Sequence, residues 1–265
     1  MLSLFALGLA GSATAYNATY THTNYLSSTI PTIDGTYAQG DEWLASGTQT
    51  FGANGIFRDE WVMTPTTANL LIETADGTND AGDQWIICFD STEAGGATEP
   101  DGGAAPKAND FKVVVTGHGA TATVQWYKGT GTGWAAATAP SSAIANIAQS
   151  LAAYTPKIGT PHYVLEMQID KTDTTAFGMV IMGYNWAQYV SYYDAHAGGY
   201  GLQSWPPAPA SPDVPDGWGY IVYEFGANPT PDVPEGICLV VMLAVSSVAA
   251  VGAVLLRKRT KIANL

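Results

Sequence analysis

Four oxygen-bearing side chains, Asp76, Asn79, Asp80 and Asp83, fall within eight residues that also contain Gly77 and Gly82. Hard cations such as Ca²⁺ take roughly six to eight oxygen ligands from tightly turned loops. The segment is therefore a candidate calcium site, and it reads equally as an acidic solvated turn. Its spacing is not that of an EF-hand, and no helical pattern flanks it. Asp90, Glu93, Asp101 and Asp110 extend the acidic zone and would complete a site if strands brought them together.

A second kind of chemistry is suggested by tryptophans in loop-like settings. Flat rings stack on the apolar faces of pyranoses while amides and carboxylates take the hydroxyls. Trp134 closes a Gly-Thr-Gly-Trp turn, Trp186 follows Tyr-Asn, and Trp205 precedes Pro206-Pro207. Asn185, Gln188 and Gln203 lie near enough in sequence to hydrogen-bond the same ligand. Simple burial competes with ligand stacking for each of these rings. Trp43, Trp61, Trp85 and Trp126 fall on strand-like runs, and the alternation of Trp126 with Ala122 and Val124 marks it as core.

Catalytic signatures are absent. The chain has no G-x-S-x-G elbow, no H-E-x-x-H and no paired Cys and His. Its 23 acidic residues do not single out the two opposed carboxylates of a glycosidase. A non-catalytic binding protein is expected.

The elements that must position these residues are mostly strands. Short alternating or wholly apolar runs recur between turn residues, as in an all-β protein. Candidate strands cover 56–63, 69–74, 85–89, 111–116, 122–127, 162–170, 177–183, 189–193 and 218–225. In 162–170, Tyr163, Leu165, Met167 and Ile169 point one way, and Val164, Glu166, Gln168 and Asp170 the other. The spacing predicts a core face and a wetter face there. The run 85–89 is apolar throughout and belongs in mid-sheet. One stretch, 141–154, places Ile144, Ile147, Ala148 and Leu151 on one helical face after Pro-Ser-Ser, which predicts a short helix.

Both ends of the chain point to export. Residues 236–256 form an uninterrupted uncharged run long enough to span a bilayer. Arg257, Lys258, Arg259 and Lys261 follow, and such clusters stay on the cytoplasmic side. Residues 2–11 are apolar and lead to Ala13-Thr14-Ala15, a signal-peptidase pattern lacking its basic n-region. The expected plan is a signal peptide (1–15), an N-terminal segment (16–29), a β domain (30–225), a proline-rich stalk (226–235), a transmembrane helix (236–256) and a cytoplasmic tail (257–265). That plan makes the protein a single-pass membrane protein with an extracellular domain.

Ahead of the apolar run, six basic residues face 23 acidic ones, a formal charge of −17. This balance argues against nucleic acid, whose phosphates demand basic surface. It suits cation binding or a solvated exterior. Cys88 lies in a strand-like run and Cys238 in the apolar span, so no disulfide between them is expected. Asn17-Ala18-Thr19 is a glycosylation sequon.

The segment PTIDGTYAQGDEW at 31–43 resembles the opening of family 9 carbohydrate-binding modules and their relatives in the DOMON-like superfamily. Leu70-Leu71-Ile72-Glu73, the run DQWIICFD at 83–90, YVLEMQI at 163–169, Met182-Gly-Tyr-Asn185, Ser204-Trp-Pro206 and Trp218-Gly-Tyr-Ile221 follow in the order of that family. The resemblance spans 30–225. It implies a two-sheet, jelly-roll-like β-sandwich that binds a carbohydrate or cell-envelope glycan without catalysis. Some relatives instead hold haem b between methionine and histidine or lysine. Met63, Met167, Met179, Met182, His118, His162 and His196 are available here, but in no distinctive pattern, and the C-x-x-C-H of c-type haem is missing. Haem is not expected. A structural role in a cell envelope or surface layer is the other alternative. Val233-Pro-Glu-Gly236, the apolar run and the basic tail also resemble the tripartite sorting signals of archaeal and some bacterial surface proteins, in which the anchor is cut.

Overall fold

The computed structural model describes residues 16–37, 42–43, 46–63, 66–90, 100–108, 110–139, 145–152, 154–170 and 185–224. The proposed signal peptide, stalk, span and tail, the candidate strand 177–183, and Glu93, Met179 and Met182 lie outside these. Among the described residues, no helix is long and apolar enough to cross a membrane.

The protein is all-β, as its short strand-like runs predict. Its strands are β1 (Asn17–Leu26), β2 (Gly47–Phe51), β3 (Gly55–Met63), β4 (Thr66–Thr74), β5 (Gln84–Asp90), β6 (Phe111–Thr116), β7 (Thr123–Gly129), β8 (Trp134–Ala137), β9 (Ala145–Ala152), β10 (His162–Asp170), β11 (Asn185–Asp194), β12 (Gly201–Trp205) and β13 (Gly219–Glu224). They join in the order β8-β7-β6-β5-β11-β13-β1-β3-β4-β10-β9, with β12 on β11 and β2 on β3. The layers of the sandwich are thus one curled sheet rather than two separate ones. β13 and β1 carry the hydrogen bonding from one layer to the other, and β1 runs parallel to both its neighbours.

Inward residues of the two layers meet in one core. Phe57, Leu70, Ile72, Leu165 and Met167 come from one side, and Trp85, Ile87, Val113, Trp126 and Val190 from the other. The apolar run 85–89 sits between β6 and β11, in mid-sheet as expected. The interior also holds polar groups. His22 Nε2 lies 3.6 Å from Asp59 Oδ2, to which Gln188 Nε2 donates at 3.4 Å. Burial holds His22 down at about 3 and pushes Asp59 well above the usual carboxylate range.

Two further expectations are corrected. Residues 145–152 form a strand, β9, paired to β10, and the helical elements among the described residues are two 3-10 turns, Gly119–Thr121 and Pro215–Gly217. Ile147 and Leu151 are four residues apart, a spacing that fits one face of a strand as well as of a helix, and the edge of β10 decides between them. Segment 16–29, set apart from the domain, contains β1, which is built into the sheet.

The wetter face of β10 is also buried, since Val164 and Glu166 are fully covered. The cover is the chain before β2. Trp43 Nε1 donates to Glu166 Oε1 at 2.9 Å, and the amides of Asp34 and Gly35 donate to Oε2 at 3.0 and 2.8 Å. Tyr37 and Trp43 pack on Leu71 and Val164. The Asp-Gly-Thr of the opening motif makes this possible. Asp34 Oδ1 accepts from the Thr36 amide at 2.8 Å, and Gly35 takes φ +81° directly against the Gln149 backbone.

Candidate functional site

The acidic loop between β4 and β5 lies at one end of the sandwich, and it folds inward rather than around an open cage. Asp76 and Asp83 are buried, and they converge with His118, from the turn after β6, to within 4.8 Å. Tyr192 of β11 completes the group, donating to Asp76 Oδ2 at 2.6 Å while His118 Nε2 sits 2.9 Å from its hydroxyl and 3.2 Å from Asp83 Oδ2. The remaining acceptors are also met. Asp76 Oδ1 takes the Thr78 amide at 2.8 Å, and Asp83 takes the amides of Ala195 and Asp80 at 2.9 and 2.8 Å.

Asn79 and Asp80 take no part in this convergence. Asn79 Oδ1 accepts from the His118 amide at 3.2 Å, and Asp80 Oδ2 pairs with His196 Nδ1 at 3.1 Å. The four candidate calcium ligands are therefore split, two buried and two at the rim. Burial raises Asp83 and lowers His118. The cluster is a satisfied hydrogen-bond lock, and its His118 ring lies parallel to Tyr163 of β10, 3.9 Å away, clamping the two layers together.

Above this floor, Asp194 organises the turn between β11 and β12. Its carboxylate accepts from the His196 amide at 2.9 Å and the Tyr200 amide at 2.8 Å, filling the space a Cβ on Gly199 would need. Tyr200 is left 56% exposed. On the outer face of β11, Tyr193 is 46% exposed and sits in register between Leu202 and Gln84. Gln84 Nε2 donates to Thr116 Oγ1 at 3.1 Å, extending the row across β5 and β6. Two accessible phenol rings, an amide, hydroxyls, an imidazole and a carboxylate thus share one end of the sheet. Exposed aromatic faces and hydrogen-bonding groups in this mixture suit a polyhydroxylated ligand.

The residues expected to bind ligand are scattered elsewhere. Trp186 is 2% and Trp205 3% exposed, the first edge-on to Phe89 and Tyr223 and the second to Phe57. Neither offers a face to solvent. Asn185 Nδ2 donates to the Tyr220 hydroxyl at 2.7 Å, and its Oδ1 accepts from the Tyr223 amide at 3.1 Å. Gln203 is buried against the β2–β3 turn, accepting from the Ala53 amide at 2.6 Å. Trp134 is half-buried. Its indole N–H reaches Asp213 Oδ1 at 3.0 Å, and Lys112 Nζ lies 4.7 Å from the ring centre, so it clamps the proline-rich loop onto the sheet. Of the haem candidates, Met167 is core, and His162 lies between Thr160 O at 2.7 Å and Glu73 Oε2 at 3.3 Å.

Sequence reasoning missed Tyr193, Tyr200, His118 and Tyr192 as members of one end. Alternation along β11 was the usable signal, because it sends Tyr192 inward and Tyr193 outward. A cleft of about 310 Å³ lies between β1 and the proline-rich loop, lined largely by Tyr20, Pro207, Pro209 and Val214.

The fold is similar to solved structures of a carbohydrate binding module family 9 (CBM9) from Caldicellulosiruptor kristjanssonii. One, in complex with cellotriose, is 15% identical over 78% of this chain and 95% of that chain, with a TM-score of 0.49. Another, in complex with glucose, is 14% identical over 78% and 98%, with a TM-score of 0.49. No family model matches the chain, and no curated protein matches it.

Proposed function

We propose that this protein is a non-catalytic glycan-binding module held at the cell surface. The binding surface is the Tyr193–Tyr200 end of the sheet. The observation that carries this reading is that Tyr193, in register with Gln84 and through it Thr116, and Tyr200, on the turn that carries His196, both remain about half exposed. Exposed phenol rings offer flat apolar faces on which a sugar ring stacks, while the neighbouring polar groups take its hydroxyls. The satisfied Asp76–Tyr192–His118–Asp83 floor supports them by fixing the strand and turn that carry both tyrosines, so little ordering entropy is lost on binding. Display outside the cell rests on the apolar run 236–256 and the basic residues that follow it.

The test is binding of the full chain to a glycan array and to xylo- and cello-oligosaccharides, followed by intrinsic fluorescence. Tyr193→Ala and Tyr200→Ala should each weaken binding about tenfold or more, the loss of one stacked ring. Thermal stability should stay nearly unchanged, because both side chains are exposed. Absence of any glycan response in both assays refutes the proposal.

A further inference from the structure

The sequon Asn17-Ala18-Thr19 falls inside β1, where a regular strand would tie its residues into the ladder. Here the ladder is interrupted. Asn17 pairs with Gly219 of β13, but the next pair in register is Thr21 with Tyr220, so residues 18–20 loop out as a bulge. Ala18 and Thr19 are exposed. The Thr19 amide donates to Asn17 Oδ1 at 3.2 Å, and Thr21 Oγ1 closes the bulge by donating to Ala18 O at 3.1 Å. The Asn17 side chain is thus folded back over its own sequon, a local turn that Asn forms readily. Its oxygen is engaged, and among the described residues its Nδ2 has no partner. No other Asn of the sequence heads an acceptor triplet, since Asn228 is followed by proline.

The backbone around Asn17 is fixed. Tyr16 stacks on Tyr220, ring centres 4.0 Å apart and planes within 6°, and the Asn17 amide donates to Trp218 O at 2.7 Å. Asn17 is also part of the wall of the cleft of about 310 Å³, together with Tyr20, Pro207, Pro209 and Val214. Both prolines and Val214 are exposed. The cleft has the size of a small-ligand site, roughly 300–1,000 Å³. No charged residue lines it, and its aromatic and aliphatic surfaces suit the C–H face of a sugar ring.

We propose that Asn17 carries an N-linked glycan whose first sugar lies in this cleft. The donor is a polyprenyl-phosphate-linked oligosaccharide, presented by a membrane transferase of the exporting cell. Asn17 Nδ2 attacks the anomeric carbon of the donor. The C–N bond forms as the C–O bond to the phosphate breaks, one amide proton passes to a base of the transferase, and the lipid phosphate leaves. The proposal rests on the display of this domain outside the cell and is independent of the Tyr193–Tyr200 surface. The expected signal peptide ends at Ala15, which leaves the sequon on the mature chain. Seated against Tyr20 and the two prolines, the sugar joins the start of β1 to the proline-rich loop.

The test is expression of the full chain in a host that N-glycosylates exported proteins, with an exported reporter glycoprotein confirming competence, followed by mass spectrometry and thermal melts. The tryptic peptide ending at Arg58, the first Lys or Arg of the chain, should carry a glycan mass on Asn17. Asn17→Gln and Thr19→Ala should lose it, and Thr19→Ser should keep it. The glycosylated chain should melt about 2 °C or more above Asn17→Gln. Tyr20→Ala should keep the glycan and reduce that difference at least about twofold when Asn17→Gln is added to it. An unmodified Asn17 in chain that surface proteolysis reaches overturns the proposal alone. An unmodified chain that stays inside the cell overturns it together with the display reading. A glycan that leaves Tm unchanged, or whose effect Tyr20→Ala does not alter, overturns its seat in the cleft.

Discussion

Gly35 and Glu166 show how single residues hold the strap before β2 on the outer face of β10. A Cβ on Gly35 would stand 2.5 Å from the Gln149 backbone, and φ +81° is strained for any L side chain. Gly35→Ala should cost at least about 2 kcal/mol, measured as a lower urea midpoint with an unchanged m-value. Glu166 accepts three N–H groups, from Asp34, Gly35 and Trp43. Glu166→Ala leaves three donors unmet, two of them buried, and should cost about 3 kcal/mol, whereas Glu166→Gln should recover part of that loss. If both variants melt like the parent, the strap contributes nothing to the fold.

At the scale of elements, Trp134 on β8 and the proline-rich loop act together. Its indole joins Asp213 and Pro212 by hydrogen bonds, Lys112 sits over its ring, and Trp218 lies parallel beyond it. Trp134→Ala should lower stability by about 1–2 kcal/mol through the lost hydrogen bonds and cation–π contact. It should also make 206–218 the first site of limited proteolysis. Unchanged cleavage would show that the loop is held by its own prolines. β9 makes the same point about context, because its alanine-rich sequence has helical propensity and is nevertheless a strand. The free edge of β10 offers eight register partners, from His162–Ala152 to Ile169–Ala145, and ladder pairing outweighs a propensity of a few tenths of a kcal/mol per residue.

For the whole molecule, the buried acids set the pH dependence. Burial raises Glu60 to about 8, Glu166 to about 7, Asp110 to about 7 and Asp90 to about 9, and Asp59 rises as well. Each native carboxyl holds its proton more tightly than the unfolded chain does. Its stabilising effect is full below the unfolded value, near 4, and is lost as the pH climbs through 7 to 9. His22 and His118 work the other way, since burial keeps them neutral and protonation below about 6.5 favours unfolding. Five acids outweigh two histidines, so in EDTA Tm should rise from pH 8 to about pH 5 and fall below that. A calorimetric Tm that rises from pH 5 to pH 8 would contradict this assignment.

The sequence alone determined the strand class and most strand positions, because period-two alternation and apolar runs are local properties. It also determined the acidic balance, the central place of 85–89 and the buried role of Trp126. The partners across the fold depend on contacts between distant segments, which local pattern does not carry. Only the tertiary structure decided that Trp186 and Trp205 are core, that β1 belongs to the sheet, and that 145–152 pairs as a strand. It likewise divided the loop 76–83, drawing Asp76 and Asp83 to His118 and Tyr192 while leaving Asn79 and Asp80 outside. Asp90 and Asp110 stand twenty positions apart in the chain and are neighbours because β5 and β6 are antiparallel. That register, and not any spacing in the sequence, brings the two acids side by side.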